Sequence, residues 1–464
     1  MFINDKLARL KGRLPWRVRR SLERLQLASL RFVQSQSELQ VRAGSSSASL
    51  VAVGDVALSG GVGTLLECSD AAKFLGDIHA LMSDCDLRIG NLETVLTDAG
   101  TATGSLGGFH KASPAAVDLL TAIGFEVVTL ANNHARDCGV TGLLQCRELL
   151  QQHGIQYCGA GSSLEQSRSP AIVEVVDLKV GMLGYCDNFR VDADDAENVA
   201  PAPARDDWIV SDICELRPQV DLLILQLHWG WEFSFYPLLS YRDRARRFAE
   251  AGADLVLCHH AHLPMGAEVW KSSIIVHGLG NFIFPRGAYV IGGHPWTYRS
   301  YVLKVSFDKV GVLRAEIIPF TIDSEGFPRI AIRSSAAETL GGVGRASARL
   351  SNDMLLAWVE RDRTVRDTLF FFASLQKSDP ATAKEWALWV QSLVQQDNIR
   401  RLQLSFGAAG ECLAGFMQHV AESSVDPQLS ASLPKESHAD EIVSALASFR
   451  SSNPIPEDIP GRIP

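Results

Sequence analysis

Short apolar runs punctuate the first two thirds of the chain. Residues 50–53, 127–130, 220–227 and 255–257 are Val- and Leu-rich and of strand length. Between them, residues 71–82, 115–123, 142–152 and 241–251 carry apolar positions at helical spacing. Such alternation predicts an α/β fold with buried, largely parallel strands. Two pairs of adjacent β-rich runs, 171–176 with 179–185 and 301–307 with 312–319, predict hairpins.

The pattern changes near both ends. Leu7, Leu10, Leu14, Val18, Leu22 and Leu25 recur at steps of three and four, with Pro15 between them. Residues 1–42 hold ten Lys and Arg against three Asp and Glu, a net of +7. This spacing and charge predict a basic amphipathic helix, either on an anionic membrane face or packed on the protein's own acidic body. Small polar residues 43–49 read as a linker. Beyond about residue 335 strand signal disappears, and residues 352–375 and 383–406 have helical periodicity. The Phe run at 370–372 reads as a packed core face, and the segment 451–464 is proline-rich. The expected organisation is an arm and linker over 1–48, an α/β domain over 49–335, a helical region over 336–450 and a tail over 451–464.

Composition narrows the classes. The 464 residues are 46% hydrophobic and 21% charged, as in ordinary globular proteins. A net charge of −9 offers no basic field for nucleic acid. The nine cysteines are scattered with no C-x-x-C pair, and Cys186 and Cys258 sit inside apolar runs, which suits buried reduced thiols. No stretch reaches 18 apolar residues, and no apolar core with a cleavage site opens the chain. The expectation is a cytoplasmic protein, peripheral to the inner membrane face through residues 1–42.

Six apolar runs end on polar side chains. They deliver Asp55; Asn91 and Glu93; Asn132, Asn133 and His134; His228; His259, His260 and His262; and His277 with Asn281. In α/β sheets ligands bind outside the carboxyl ends of the strands, so these ends predict one shared site. Carboxylate, amide oxygen and imidazole suit divalent Mn, Fe or Zn. His260 and His262 would point the same way on an extended segment. Two carboxylates and three or four imidazoles suffice for two ions; a pair about 3.5–4 Å apart activates water at neutral pH and clamps a phosphoryl oxygen. Each element alone has a plainer reading: Asp55 as a turn cap, a lone histidine as a bonded core residue, Cys258 as a core thiol. Lys111, in the Gly-rich stretch 100–114, and Arg286 are candidates to meet an anionic substrate, or else solvated charges.

The stretches GDVALSG, GNLET, ANNHARDCG, LHWGWEF, CHHAHLP and GLGNFIF, in this order over residues 50–285, closely resemble the capsule (poly-γ-glutamate) synthesis protein CapA family, whose domain is similar to calcineurin-type metallophosphoesterases. The resemblance implies a four-layer αββα sandwich with a two-metal site at the strand ends. It implies Asp55 and His262 on the first metal, Glu93 as the bridge, and Asn133, His228 and His260 on the second. It places His134 where a histidine protonates the leaving oxygen, with Asp137 holding its other ring nitrogen. One position departs: Ala57 stands where such enzymes carry a histidine, so the first metal is short of a ligand unless His259 or His277 compensates. Three functions follow as expectations. They are a metal-dependent phosphoester hydrolase in surface-polymer synthesis, a non-catalytic protein binding an anionic polymer, and a metal-dependent amide hydrolase or transferase.

Overall fold

Two β-sheets lie face to face, because their strands are apolar on both sides. In the Ala48–Val56 strand, Leu50 and Ala52 enter the core between the sheets, whereas Val51 and Val53 enter a second core under helices. The Leu222–His228 strand of the other sheet divides likewise: Leu222 and Ile224 face the shared core, and Leu223, Leu225 and Leu227 face a third. A sheet apolar on both faces must be covered on both. Helices Gly60–Cys68, Leu75–Met82, Val117–Ile123 and Gly139–Gln152 close the outside of the first sheet. Asp206–Leu216 and Leu239–Ala251 close the outside of the second. The architecture is the four-layer αββα sandwich.

The computed structural model describes residues 37–68, 74–82, 84–100, 110–187, 201–285 and 295–353, with 355, 356 and 359. Among these, the first sheet has nine strands, with Ala48–Val56, Leu87–Leu92, Val127–Thr129 and Gln156–Cys158 running parallel at its centre and one edge. The second has six, with Leu178–Cys186, Leu222–His228, Leu255–His259 and Ser273–Val276 parallel. Both expected hairpins form: Ala171–Val175 with Leu178–Cys186, and Arg299–Asp308 with Gly311–Ile322, each antiparallel.

Three features depart from the pattern. Helix Gly60–Cys68 has no counterpart in it, since Gly60, Gly61 and Gly63 carry no apolar side chain to mark a face. Strand Glu38–Gln40, inside the stretch expected as arm and linker, pairs antiparallel with Gly311–Ile322. Helix Arg333–Ala348 sends Leu340 and Val343 into the inter-sheet core, and the chain divides into two units after Leu350. The basic arm over residues 1–36, residues 101–109 of the Gly-rich stretch, Arg286, the Phe run at 370–372 and the tail 451–464 lie outside the described residues. Among the described residues no helix is long and apolar enough to cross a membrane.

One close approach sets the future site. A Cβ on Gly54 would lie 1.7 Å from the Gly280 carbonyl oxygen. Only glycine lets the two backbones meet there. The same oxygen accepts from the Asp55 N–H at 2.9 Å, and Asn281 lies in parallel register with Asp55.

Candidate metal centre

The carboxyl ends of the parallel strands from both sheets converge on one buried cluster. Strict alternation would give Asp55 the helix-covered face of Val51 and Val53. A register shift between Ala52 and Asp55 breaks that alternation, as a bulge does. Asp55 meets two residues of the other sheet's rim: His259 Nδ1 at 3.1 Å and His262 Nδ1 at 3.4 Å. Glu93, just past the Leu87–Leu92 strand, is fully buried. Ligand atoms of Glu93, His260 and His262 lie within 4.8 Å of one another, as do those of Asp55, Glu93 and His228. The two triads share Glu93 and cut across the division of ligands expected from the resemblance. Asn133 joins them: its Oδ1 is 2.7 Å from His228 Nε2.

His260 and His262 do not reach the centre along an extended segment. Both have left-handed backbones, φ +83° and +56°, in the loop that follows Leu255–His259. Non-glycine residues rarely adopt such torsions, and when they do they often mark functional sites.

The cluster asks for a cation. Both oxygens of Glu93 and Nδ1 of His260 are buried without a hydrogen-bond partner, a state that costs about 1–3 kcal/mol for a neutral group and more for a charged one. Burial, and after it the Asp55 charge, pushes the Glu93 carboxyl well above the usual range. Burial opposes the charge of Asp55 too, but hydrogen bonds from His259 and His262 outweigh it and hold that carboxyl well below its usual range. Burial would lower His262, yet the Glu93 and Asp55 carboxylates overcome it and raise it to about 10. Burial holds His260 down at about 4 and, reinforced by His260, keeps His228 well below its ordinary value. Imidazoles held neutral at His228 and His260, beside a Glu93 carboxyl without hydrogen bonds and the Asp55 carboxylate, form a donor set for a divalent ion. The residues present therefore fit such a group.

The supporting amides are laid in a row. Asn91 Nδ2 donates to Asp55 Oδ1 at 2.8 Å and lies 3.2 Å from His228 Nδ1. Asn132 Nδ2 donates to Asn91 Oδ1 at 3.1 Å and to the Leu92 carbonyl at 2.9 Å. Asn281 Oδ1 lies 2.9 Å from His262 Nδ1 and so orients that ring. His259 is engaged at both nitrogens, by Asp55 and by Gln226 Oε1 at 2.9 Å. It steadies Asp55 rather than replacing the ligand missing at Ala57, which is packed in the apolar core. His277 stands elsewhere, its Nε2 3.0 Å from Glu268 Oε1, beside the Arg246–Glu268 ion pair. Lys111 is half-buried on the short Lys111–Ala112 strand, its charge acting on the Cys138 thiol. Cys258 points into the helix-covered core, and burial pushes its thiol up to about 12.

Beside these side chains stands a histidine–aspartate pair. His134 Nδ1 is 2.7 Å from Asp137 Oδ2, and its Nε2 lies 3.9 Å from Glu93 Oε1. Both residues are almost fully buried. Three neighbours escaped the sequence reading. Gln226 was legible, being the one polar residue in the run 222–227 and of the same parity as His228. Ser59 and His110, which meet at 2.7 Å, carry no such signal, since a serine and a lone histidine inside a Gly-rich stretch look like surface.

Comparison with known proteins places the chain in a family. The family described as "Bacterial capsule synthesis protein PGA_cap" matches residues 49–286, about half of the chain. The "PGA biosynthesis protein CapA" of Bacillus subtilis (strain 168) is 27% identical over 275 residues, 58% of this chain and 70% of that protein. The "Capsule biosynthesis protein CapA" of Bacillus anthracis is 28% identical over 213 residues, 44% of this chain and 50% of that protein. Among solved structures, a hypothetical protein from Thermus thermophilus aligns with a TM-score of 0.38 at 14% identity, over 59% of this chain and 99% of that one. The 5'-nucleotidase from Candida albicans SC5314 aligns with a TM-score of 0.36 at 11% identity, over 67% of this chain and 60% of that one. At such scores the likeness says nothing of activity.

Proposed function

The chain belongs to the bacterial capsule synthesis protein PGA_cap family, and from that footing we propose that it is a metal-dependent, phosphoesterase-like hydrolase acting in capsule or poly-γ-glutamate-type polymer synthesis. One observation carries the reading: a buried carboxylate without hydrogen bonds, shared by two ligand triads, lies beside a histidine–aspartate pair that faces it. Asp55, Glu93, Asn133, His228, His260 and His262 would hold the metal, two divalent ions of the Mn, Fe or Zn class. Bound there, such ions supply Lewis acidity toward a phosphoryl oxygen and water.

The chain's own residues do the rest. Asp137 fixes the Nδ1 side of His134, so the proton at Nε2 is the one offered toward the centre, to a leaving oxygen. The row Asn132–Asn91–Asp55 keeps the acid in register with the ligands. Burial of the cluster excludes bulk water and strengthens each of these contacts.

The test is the metal content of the purified full chain, followed by turnover of p-nitrophenyl phosphate and bis(p-nitrophenyl) phosphate with added Mn²⁺. His134→Ala is expected to lose about 10²–10⁴-fold in turnover of propyl phosphate, whose alkoxide leaves only with a proton, while keeping its metal. A second reading has its own observation: Ala57 leaves the Asp55 side one ligand short. Metal bound with no turnover of any phosphoester would favour a protein that holds an anionic polymer without cleaving it. The basic arm is proposed to meet an anionic lipid surface. Because Glu38–Gln40 belongs to the sheet, the comparison is full chain against a chain starting at residue 37. Equal sedimentation with anionic liposomes removes this contact.

A further inference from the structure

We propose that His110, held by Ser59, is a positioning residue for the His134–Asp137 pair. This rests on the hydrolase reading above, and it assigns a role to two residues that neither ligate nor donate the proton.

Four contacts carry it. Ser59 Oγ lies 2.7 Å from His110 Nδ1, with both residues buried. The His110 imidazole packs edge-to-face on that of His134, centroids 4.2 Å apart and planes 80° to each other. The main-chain N–H of His110 donates to Asp137 Oδ2 at 2.6 Å. That oxygen is the one His134 Nδ1 meets at 2.7 Å. One residue therefore touches both members of the pair, the acid with its ring and the aspartate with its backbone.

The geometry supplies what the pair lacks. A single hydrogen bond at Nδ1 fixes one point of the His134 ring and leaves it free to tilt. A perpendicular ring against its side removes that freedom, and an acid must hold its N–H on line to the leaving oxygen. Ser59 follows Asp55 by four residues, so the tie runs back to the strand that carries a ligand. On the other side the His134 N–H donates to Asn132 Oδ1 at 3.1 Å, and the amide row leads to Asp55 again. His134 is thus braced from two directions against one strand. Burial, and after it the neighbouring His134, holds the His110 imidazole well below its ordinary value, so no second imidazolium crowds the acid. A merely packed histidine would explain the burial but not the tie from its Nδ1 to Ser59.

The experiment compares two leaving groups in the full, Mn²⁺-loaded chain. p-Nitrophenolate departs with little help from a proton, whereas an alkoxide requires one. In His110→Phe, which keeps a ring, and in Ser59→Ala, which removes only a hydroxyl, kcat for propyl phosphate is expected to fall about tenfold or more, against about threefold or less for p-nitrophenyl phosphate. KM and metal content should hold. Equal losses on both substrates, or none, overturn the proposal. If the wild-type chain cleaves neither ester, the hydrolase reading fails on its own. Positioning is then read from the ¹⁵N spectrum of His134 at a single pH. One ring tautomer in wild type and a mixture in both variants supports it; the same spectrum in all three overturns it.

Discussion

His228 Nε2 and Asn133 Oδ1, from the rims of different sheets, lie 2.7 Å apart and satisfy each other, while both oxygens of Glu93 have no hydrogen-bond partner. A divalent ion would exchange that one bond for several and relieve a buried carboxylate. Ion binding should therefore stabilise the fold. At a hundredfold excess over Kd the gain is about 2.7 kcal/mol, visible as a higher Tm with Mn²⁺ than with EDTA. Glu93→Gln should abolish the Mn²⁺ increment. Identical melting with and without ion in the unmodified chain would sink the metal centre.

The ion-free protein should respond to pH through two histidines in opposite senses. His262 holds its proton more tightly folded than unfolded, at about 10 against the ordinary 6.5. Its contribution is whole below about pH 6.5 and drains away as pH rises toward 10, with a limiting slope of about 1.4 kcal/mol per pH unit. The raised Glu93 carboxyl adds to this loss on the way up. His260, held down at about 4, contributes stability that is lost as pH falls from 6.5 toward 4. Denaturant midpoints against pH in EDTA should therefore decline toward alkali. His262→Gln or saturating Mn²⁺ should flatten that limb. Superimposable profiles would contradict the assignment of the two carboxylates to His262.

His259 should matter to metal without ligating it. Its ring links Asp55 Oδ1 to Gln226 Oε1, at 3.1 and 2.9 Å. Loss of such an orienting partner typically weakens metal affinity 10–100-fold. Calorimetric titration of His259→Gln with Mn²⁺ should show about that drop with stoichiometry unchanged. A changed stoichiometry would make His259 a ligand instead.

Gly54→Ala should damage the site through the backbone. The added Cβ would meet the Gly280 carbonyl oxygen at 1.7 Å, and backbone cannot step aside as a flexible side chain does. Overpacking of this kind costs about 1–3 kcal/mol. Because the same oxygen holds the Asp55 N–H, metal affinity should fall along with Tm. A variant that melts like wild type and binds Mn²⁺ normally would show that the segments separate freely.

The sequence by itself determined the α/β class and the chemistry on offer, and the four layers followed from its family resemblance. Apolar runs at 50–53 and 220–227 read as buried strands, and the helical stretches between such runs favoured α/β packing. Residue type at the run ends named carboxylate, amide and imidazole as donors. Tertiary structure decided where those donors point. Asp55 is re-aimed by a register shift that no alternation encodes, and His260 and His262 turn inward on left-handed torsions. His259 and His277 look alike in the chain, each following an apolar strand. One braces Asp55 while the other pairs with Glu268. His110 gave no sign of belonging beside His134, from which it is 24 positions away. Periodicity is a local property and fixes which face of a strand is buried. Past the strand's end, direction depends on loop torsions and on what the opposing sheet presents, and neither is written in the spacing of residues.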